Sequence, residues 1–183
     1  MYYGTTENIR TKKLITEALF SLLKKKNFSE LTVTDIIKES GVARSTYYRN
    51  FNTKESIMEQ YIEDIHDDII SNDEYENIEI VFTRENIIRG FERTLTHFLK
   101  NKSYILTIYR NGFGYLIQDI LNKYIEQSVG DMPAHSIERY KLYFISGATF
   151  NVLIHWLEQG AEESPYAIAS ICANYLSGSI ITK

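Results

Sequence analysis

Residues 41–51 read Gly-Val-Ala-Arg-Ser-Thr-Tyr-Tyr-Arg-Asn-Phe, and the fold of the whole chain follows from what this stretch is taken to be. Just upstream, Thr32-Val33-Thr34-Asp35-Ile36-Ile37-Lys38-Glu39-Ser40 has the pattern of a two-turn helix. Thr32 is placed to cap it, with Asp35 three residues on reaching back as a capping box. Gly41 ends it, because glycine adopts positive φ without a Cβ penalty. A second short helix is expected from about Ala43 to Asn50. Two short helices joined by a tight glycine turn form a helix-turn-helix, whose second helix fits the DNA major groove.

The two faces of that second helix differ in chemistry. Tyr47 and Phe51, four residues apart with Val42 nearby, point inward. Arg44 with Tyr48, and Ser45 with Arg49, share the outward side. Guanidinium groups fork onto guanine O6 and N7, and hydroxyls reach base edges or phosphates. An ordinary surface hairpin of helices fits the same spacing and needs no DNA.

The stretch Leu14 to Ile57 resembles the DNA-binding domain of the TetR family of bacterial transcriptional regulators. The matching pieces stand in register: Leu14-Ile15 and Ala18-Leu19, then Phe28, Thr32-Val33, Asp35-Ile36, Gly41-Val42, Thr46-Tyr47-Tyr48, Phe51 and Lys54-Glu55. Two positions depart from that pattern. Asn27 stands where the family usually has glycine, and Ala43 stands where Ser or Thr is frequent. Asparagine tolerates the left-handed region, whereas Ala43 has no side chain to cap a helix or hold a phosphate. The resemblance implies a DNA-binding transcriptional regulator, a ligand-responsive repressor that holds a palindromic operator as a homodimer. On that reading Arg44, Ser45 and Tyr48 face base edges. Thr34, Thr46, Arg49, Asn50 and Lys54 face the DNA backbone.

Charge is distributed as such a protein requires. The chain has 183 residues and a net charge of −4. Ten basic and six acidic residues fall within 1–56, leaving ten basic and eighteen acidic residues for the rest. A basic head on an acidic body attracts duplex DNA at one end and repels it at the other. The hydrophobic fraction of 44% supports a packed core. Cys172 is the single cysteine, so no internal disulfide is possible, which is compatible with a reducing cytoplasm. The first residues lack the charged and apolar segments of a secretion signal, and no apolar run is long enough to span a membrane.

The remaining chain reads as all-α. A first helix is expected from Thr5 or Thr6 to about Lys26, with Asn27 turning left-handed behind it and Phe28 packing back. The fourth, about Lys54 to Ile70, is a rod of about 25 Å. On it Glu63, His66, Asp67 and Asp68 have spacings a metal site uses, and are read as a solvated acidic face. An acidic loop across Ser71 to Thr83 marks the boundary. The domains are thus 1–53 for DNA binding, 54–71 as a connecting helix, and 72–183 as a helical bundle for effector binding and dimerisation.

Five helices are expected in the body: Thr83 or Arg84 to Lys100, Tyr104 to Arg110, Tyr115 to Ser128 (with Gly130 and Pro133 beyond), Ser136 to Glu158, and Pro165 to about Leu176. Asn111-Gly112-Phe113-Gly114 is a turn, since this G-x-G follows no strand and opens no dinucleotide-binding unit. Phe91, Phe98, Tyr109, Phe113, Tyr143, Phe144 and Asn151 are candidates to line an aromatic pocket for an unknown small-molecule effector; core packing is the alternative. Phe150, Ile154, Leu157, Ile168, Ile171 and Tyr175, on the last two helices, are candidates for a two-fold four-helix interface. The resemblance implies that role for those helices. No cofactor is expected. No nucleophile elbow, P-loop or H-E-x-x-H motif is present and the four histidines are scattered, so nothing points to an enzyme. The other readings are an activator, a regulator answering to a protein partner, and a helical interaction protein that does not read DNA.

Overall fold

A computed structural model describes residues 3–71, 83–129, 136–137 and 139–180. Among these residues the protein is all-helical, with no strand. Helix α1 (Tyr3–Leu23) is followed by a 3-10 turn (Phe28–Glu30), α2 (Val33–Ser40), α3 (Arg44–Asn50) and α4 (Glu55–Ser71). The body has α5 (Arg84–Lys100), α6 (Lys102–Ile108), a π-helical segment (Tyr109–Phe113), α7 (Gly114–Val129), α8 (Arg139–Glu158) and α9 (Pro165–Ile180). The expected acidic loop, and the stop at Gly130 and Pro133, lie outside the described residues.

Local rules govern the head. The Asp35 N–H donates to Thr32 Oγ1 at 3.2 Å, and the Thr32 N–H donates to the Asp35 carboxylate at 2.9 Å. The Thr32 N–H and, at 2.8 Å, the Thr32 hydroxyl both donate to that carboxylate and hold it below its ordinary range. Gly41 closes α2 at φ 69°, its N–H reaching Ile37 O at 3.1 Å. Ile15, Leu19, Phe20, Ile36, Tyr47 and Phe51 are buried and form the head's core, continuous with Ile57 and Met58 of α4.

The chain after α1 differs from expectation. The helix ends at Leu23, and Asn27 is extended (φ −67°, ψ 151°), not left-handed. Extended backbone lets the Asn27 N–H reach the Glu30 carboxylate at 3.3 Å and buries Phe28. The Phe28 ring meets Phe113 edge to face, with centroids 4.8 Å apart, and the Phe28 N–H donates to Asn111 Oδ1 at 3.2 Å. The head therefore touches the body through the segment read as a plain turn. That segment stays wound as a π-helix, broken only at Gly112 with φ 88°.

In the body α5 lies along α9 and α7 along α8. Thr83 caps α5 through the Asn86 N–H at 3.2 Å, and Ser164 caps α9 through the Ala167 N–H at 3.2 Å, with Pro165 at the first helical position. Trp156, the chain's single tryptophan, is buried near the end of α8 and donates its indole N–H to Glu163 O, just before α9, at 3.1 Å. Tyr61 of α4 donates its hydroxyl to Asn101 Oδ1 at 2.9 Å, and its ring stands in a cluster with Phe20 and Tyr104. This cluster ties α1, α4 and α6 together. None of the described helices is long and apolar enough to cross a membrane.

Candidate functional site

Helix α3 projects Arg44, Ser45, Tyr48 and Arg49 outward, all exposed, while Tyr47 is fully buried. Burial is the main cause that pushes the Tyr47 phenol up to about 12, and its hydroxyl donates to Thr53 O at 3.2 Å. This inward anchor fixes which way α3 faces. On the outer side the Arg44 guanidinium lies 5.5 Å from the Tyr48 ring centroid, with its Nη2 3.5 Å from the Tyr48 hydroxyl. Such a loose stacked pair leaves most of the Arg44 donors available. Arg49 turns back, its Nε 3.4 Å from Ser45 O and its Nη2 3.4 Å from Thr46 Oγ1. Ala43 precedes α3 without a side-chain cap. Thr34 is exposed on α2.

Two of the eight expected DNA-facing residues, Asn50 and Lys54, have partners outside α3. Asn50 donates its amide to Thr46 O at 2.8 Å and accepts from Asn8 of α1 at 2.9 Å. This bond locks α3 to α1, and no local pattern could have signalled Asn8. Lys54, expected to face the DNA backbone, instead reaches into the loop after α1. Its Nζ donates to Phe28 O at 2.6 Å and Leu31 O at 2.8 Å, and stands 4.3 Å from the Phe28 ring centroid. Those carbonyls lie at the ends of the 3-10 turn, and Phe28 O also accepts the Leu31 N–H at 3.2 Å.

The aromatic residues proposed for a pocket do not surround one cavity. Phe98 is fully buried in the core, and Phe91, Tyr109 and Phe113 pack against it. Phe113 meets Phe28, and Tyr109 meets Phe150 with centroids 6.1 Å apart. Phe144 is 75% exposed, and Asn151 donates to Gly147 O at 2.8 Å on the surface. Helical spacing marks these residues as inward or apolar, and packing uses them in different places. Only Tyr143 of that set lines a cleft of about 440 Å³ between α4, α7 and α8, whose floor is Ile62, Leu116 and Ile120. Sequence reading missed it because its walls come from separate helices.

The α8 and α9 faces also separate on inspection. Ile154 and Leu157, expected between two copies, are buried within the protomer. Phe150 and Ile168 are partly buried against the same core. Ile171 and Tyr175 are 55% and 80% exposed, and with Phe144, Tyr140 and Val152 they leave an apolar surface on these two helices. The acidic group on α4 divides too: Asp67 and Asp68 are exposed, but His66 is buried. Among the described residues no three His, Cys, Asp or Glu side chains are grouped to hold a metal.

With this geometry established, comparison with known proteins is direct. Residues 15–61 match the family described as bacterial regulatory proteins, tetR family, and residues 85–178 match the family of the transcriptional regulator C-terminal region. A curated relative, the uncharacterized HTH-type transcriptional regulator YxbF of Bacillus subtilis (strain 168), is 25% identical over 167 residues. That match covers 85% of this chain but only 42% of the relative. Among solved structures, a TetR-family regulator from Syntrophomonas wolfei str. Goettingen superposes with a TM-score of 0.74 at 19% identity, covering 96% of this chain and 97% of its own. A TetR regulator from Streptococcus agalactiae 2603V gives 0.65 at 20% identity, covering 95% and 97%. The α2–α3 unit and the helical body are both matched, and the chain belongs to the TetR family of DNA-binding bacterial transcriptional regulators.

Proposed function

We propose that the protein acts in the cytoplasm as a homodimeric, effector-responsive repressor that binds a palindromic operator and excludes polymerase by occupying promoter DNA. The observation that carries the DNA half is α3, anchored by buried Tyr47 with Arg44, Ser45 and Tyr48 facing out. Arg44 reads a base edge, and Thr34, Thr46 and Arg49 meet the backbone. Asn50 and Lys54 act at one remove, by fixing α3 and the loop beneath it. The exposed apolar surface of α8 and α9 supports dimerisation, which sets two recognition helices about 34–36 Å apart for successive major grooves.

On this reading residues 1–53 form the reader, 54–71 the connecting rod, and 72–183 the responding body. A Thermus thermophilus FadR repressor of the same fold, 17% identical with a TM-score of 0.51, was solved in complex with lauroyl-CoA. That supports a ligand-binding body here. Head and body meet at Phe28, Asn111 and Phe113, so an effector that shifts the π-helical segment alters how the head is held. Coupling is reciprocal, and operator DNA weakens effector binding by the factor by which effector weakens operator binding.

The test is selection of binding sites from random duplex DNA at physiological salt, with Arg44→Ala in parallel. The wild type enriches a palindrome. Arg44→Ala loses about 1–3 kcal/mol and relaxes one base-pair position per half-site. Uniform weakening on all sequences would place Arg44 on phosphate instead, and no enrichment at all would leave α2–α3 as a structural element only.

A further inference from the structure

The cleft between α4, α7 and α8 combines an apolar floor with an unbalanced charge. Four carboxylates line it (Glu59, Glu63, Asp119 and Glu126) against one lysine, Lys123. Lys123 is paired with Glu63, and Glu126 is paired with Arg139. Glu59 and Asp119 form no ion pair among the described residues and stand on facing walls, α4 and α7. Beneath them lie Ile62, Leu116 and Ile120, and Tyr143 closes the α8 side with an aromatic ring.

We infer that this cleft receives a protonated organic amine with an apolar or aromatic body, a reading that rests on the effector-responsive regulator proposed above. The volume suits a small molecule. An anion meets two unpaired carboxylates and no unpaired cation. A bare metal ion meets an apolar floor, and no ligand triad is grouped for it among the described residues. A neutral apolar molecule fits the floor but leaves Glu59 and Asp119 unanswered. An ammonium group answers the excess of carboxylates on the two walls and makes a cation–π contact with Tyr143. The position gives such a ligand mechanical purchase: α4 carries the head, and α7 continues directly from the segment that holds Phe28.

Three probes share one aromatic body and differ in charge: tryptamine, tryptophol and indole-3-propionate. Isothermal titration of the full chain at neutral pH should show tryptamine bound at least tenfold more tightly than either of the others. Glu59→Gln with Asp119→Asn, both exposed and neutral, should remove about tenfold of that affinity. Equal affinity for the three probes, no binding of any at millimolar concentration, or an unchanged double variant overturns the site. Operator binding separates this from the reading beneath it. Tryptamine binding that leaves operator affinity unaltered keeps the amine site and defeats the effector-responsive switch. Strong operator binding by a protein that takes no amine defeats the site and keeps the regulator.

Discussion

Lys54 carries its charge into the loop between α1 and α2, where two carbonyl oxygens and a phenyl ring hold it. Removing the ammonium takes a charged donor from both carbonyls, and Phe28 O keeps only the Leu31 N–H. Lys54→Met should therefore cost about 1–3 kcal/mol in denaturant unfolding. It should also leave the salt slope of operator binding unchanged; a slope lowered by roughly one unit would show instead a lost phosphate contact. Tyr47 gives a pH signature. Its phenol is raised from 10.0 to about 12 by burial, so the native state keeps a proton the unfolded chain releases. The stabilisation is complete below pH 10 and is lost as pH rises from 10 to 12. Tyr47→Phe should lower stability at neutral pH by about 1 kcal/mol and show a shallower alkaline fall in Tm than the wild type; parallel curves would contradict this.

At the scale of elements, the π-helical segment Tyr109–Phe113 is one of the places where head and body meet. A Cβ at Gly112 meets nothing within 4 Å, yet the backbone has φ 88°. Gly112→Ala should therefore destabilise by about 1 kcal/mol through backbone strain alone, read as a shifted midpoint with an unchanged denaturant slope. Asn111→Ala removes the acceptor for the Phe28 N–H. It should reduce severalfold the ratio of operator affinities with and without effector, while operator affinity without effector stays close to wild type; an unaltered ratio would move the coupling elsewhere. The elements that sequence reading placed well are those under local control. Thr32, Asp35 and Gly41 bound α2, Thr83 opens α5, and Ser164-Pro165 opens α9, each within four residues of its partner. The Phe28–Asn111 bond spans 83 residues, and no spacing rule reaches that far. Asn27 departs from expectation for the same reason: its local freedom allows a left-handed turn, and the distant demand to bury Phe28 against Phe113 decides otherwise.

For the molecule as a whole, the proposed dimer rests on the exposed apolar residues of α8 and α9. Phe144→Glu puts a charge at a position 75% exposed, so folding should be little affected. The variant should sediment as a monomer and lose most operator affinity, because one head alone holds half a palindrome; a dimeric Phe144→Glu would direct the interface elsewhere. Ile154 and Leu157 share the apolar pattern of this face but are consumed by the protomer's own core, a difference that side-chain type alone does not reveal. The cleft between α4, α7 and α8 was equally hidden, since an inward aromatic residue looks the same in sequence whether it fills a core or lines a void. Trp156 has a separate consequence. As the chain's single indole, buried near the end of α8 and hydrogen-bonded to Glu163 O, it makes the protein's intrinsic red-edge fluorescence a private reporter of the body. Melting of the head alone leaves that emission untouched, so tryptophan emission and helical circular dichroism recorded together distinguish a molecule that unfolds as one unit from one whose reader loosens first.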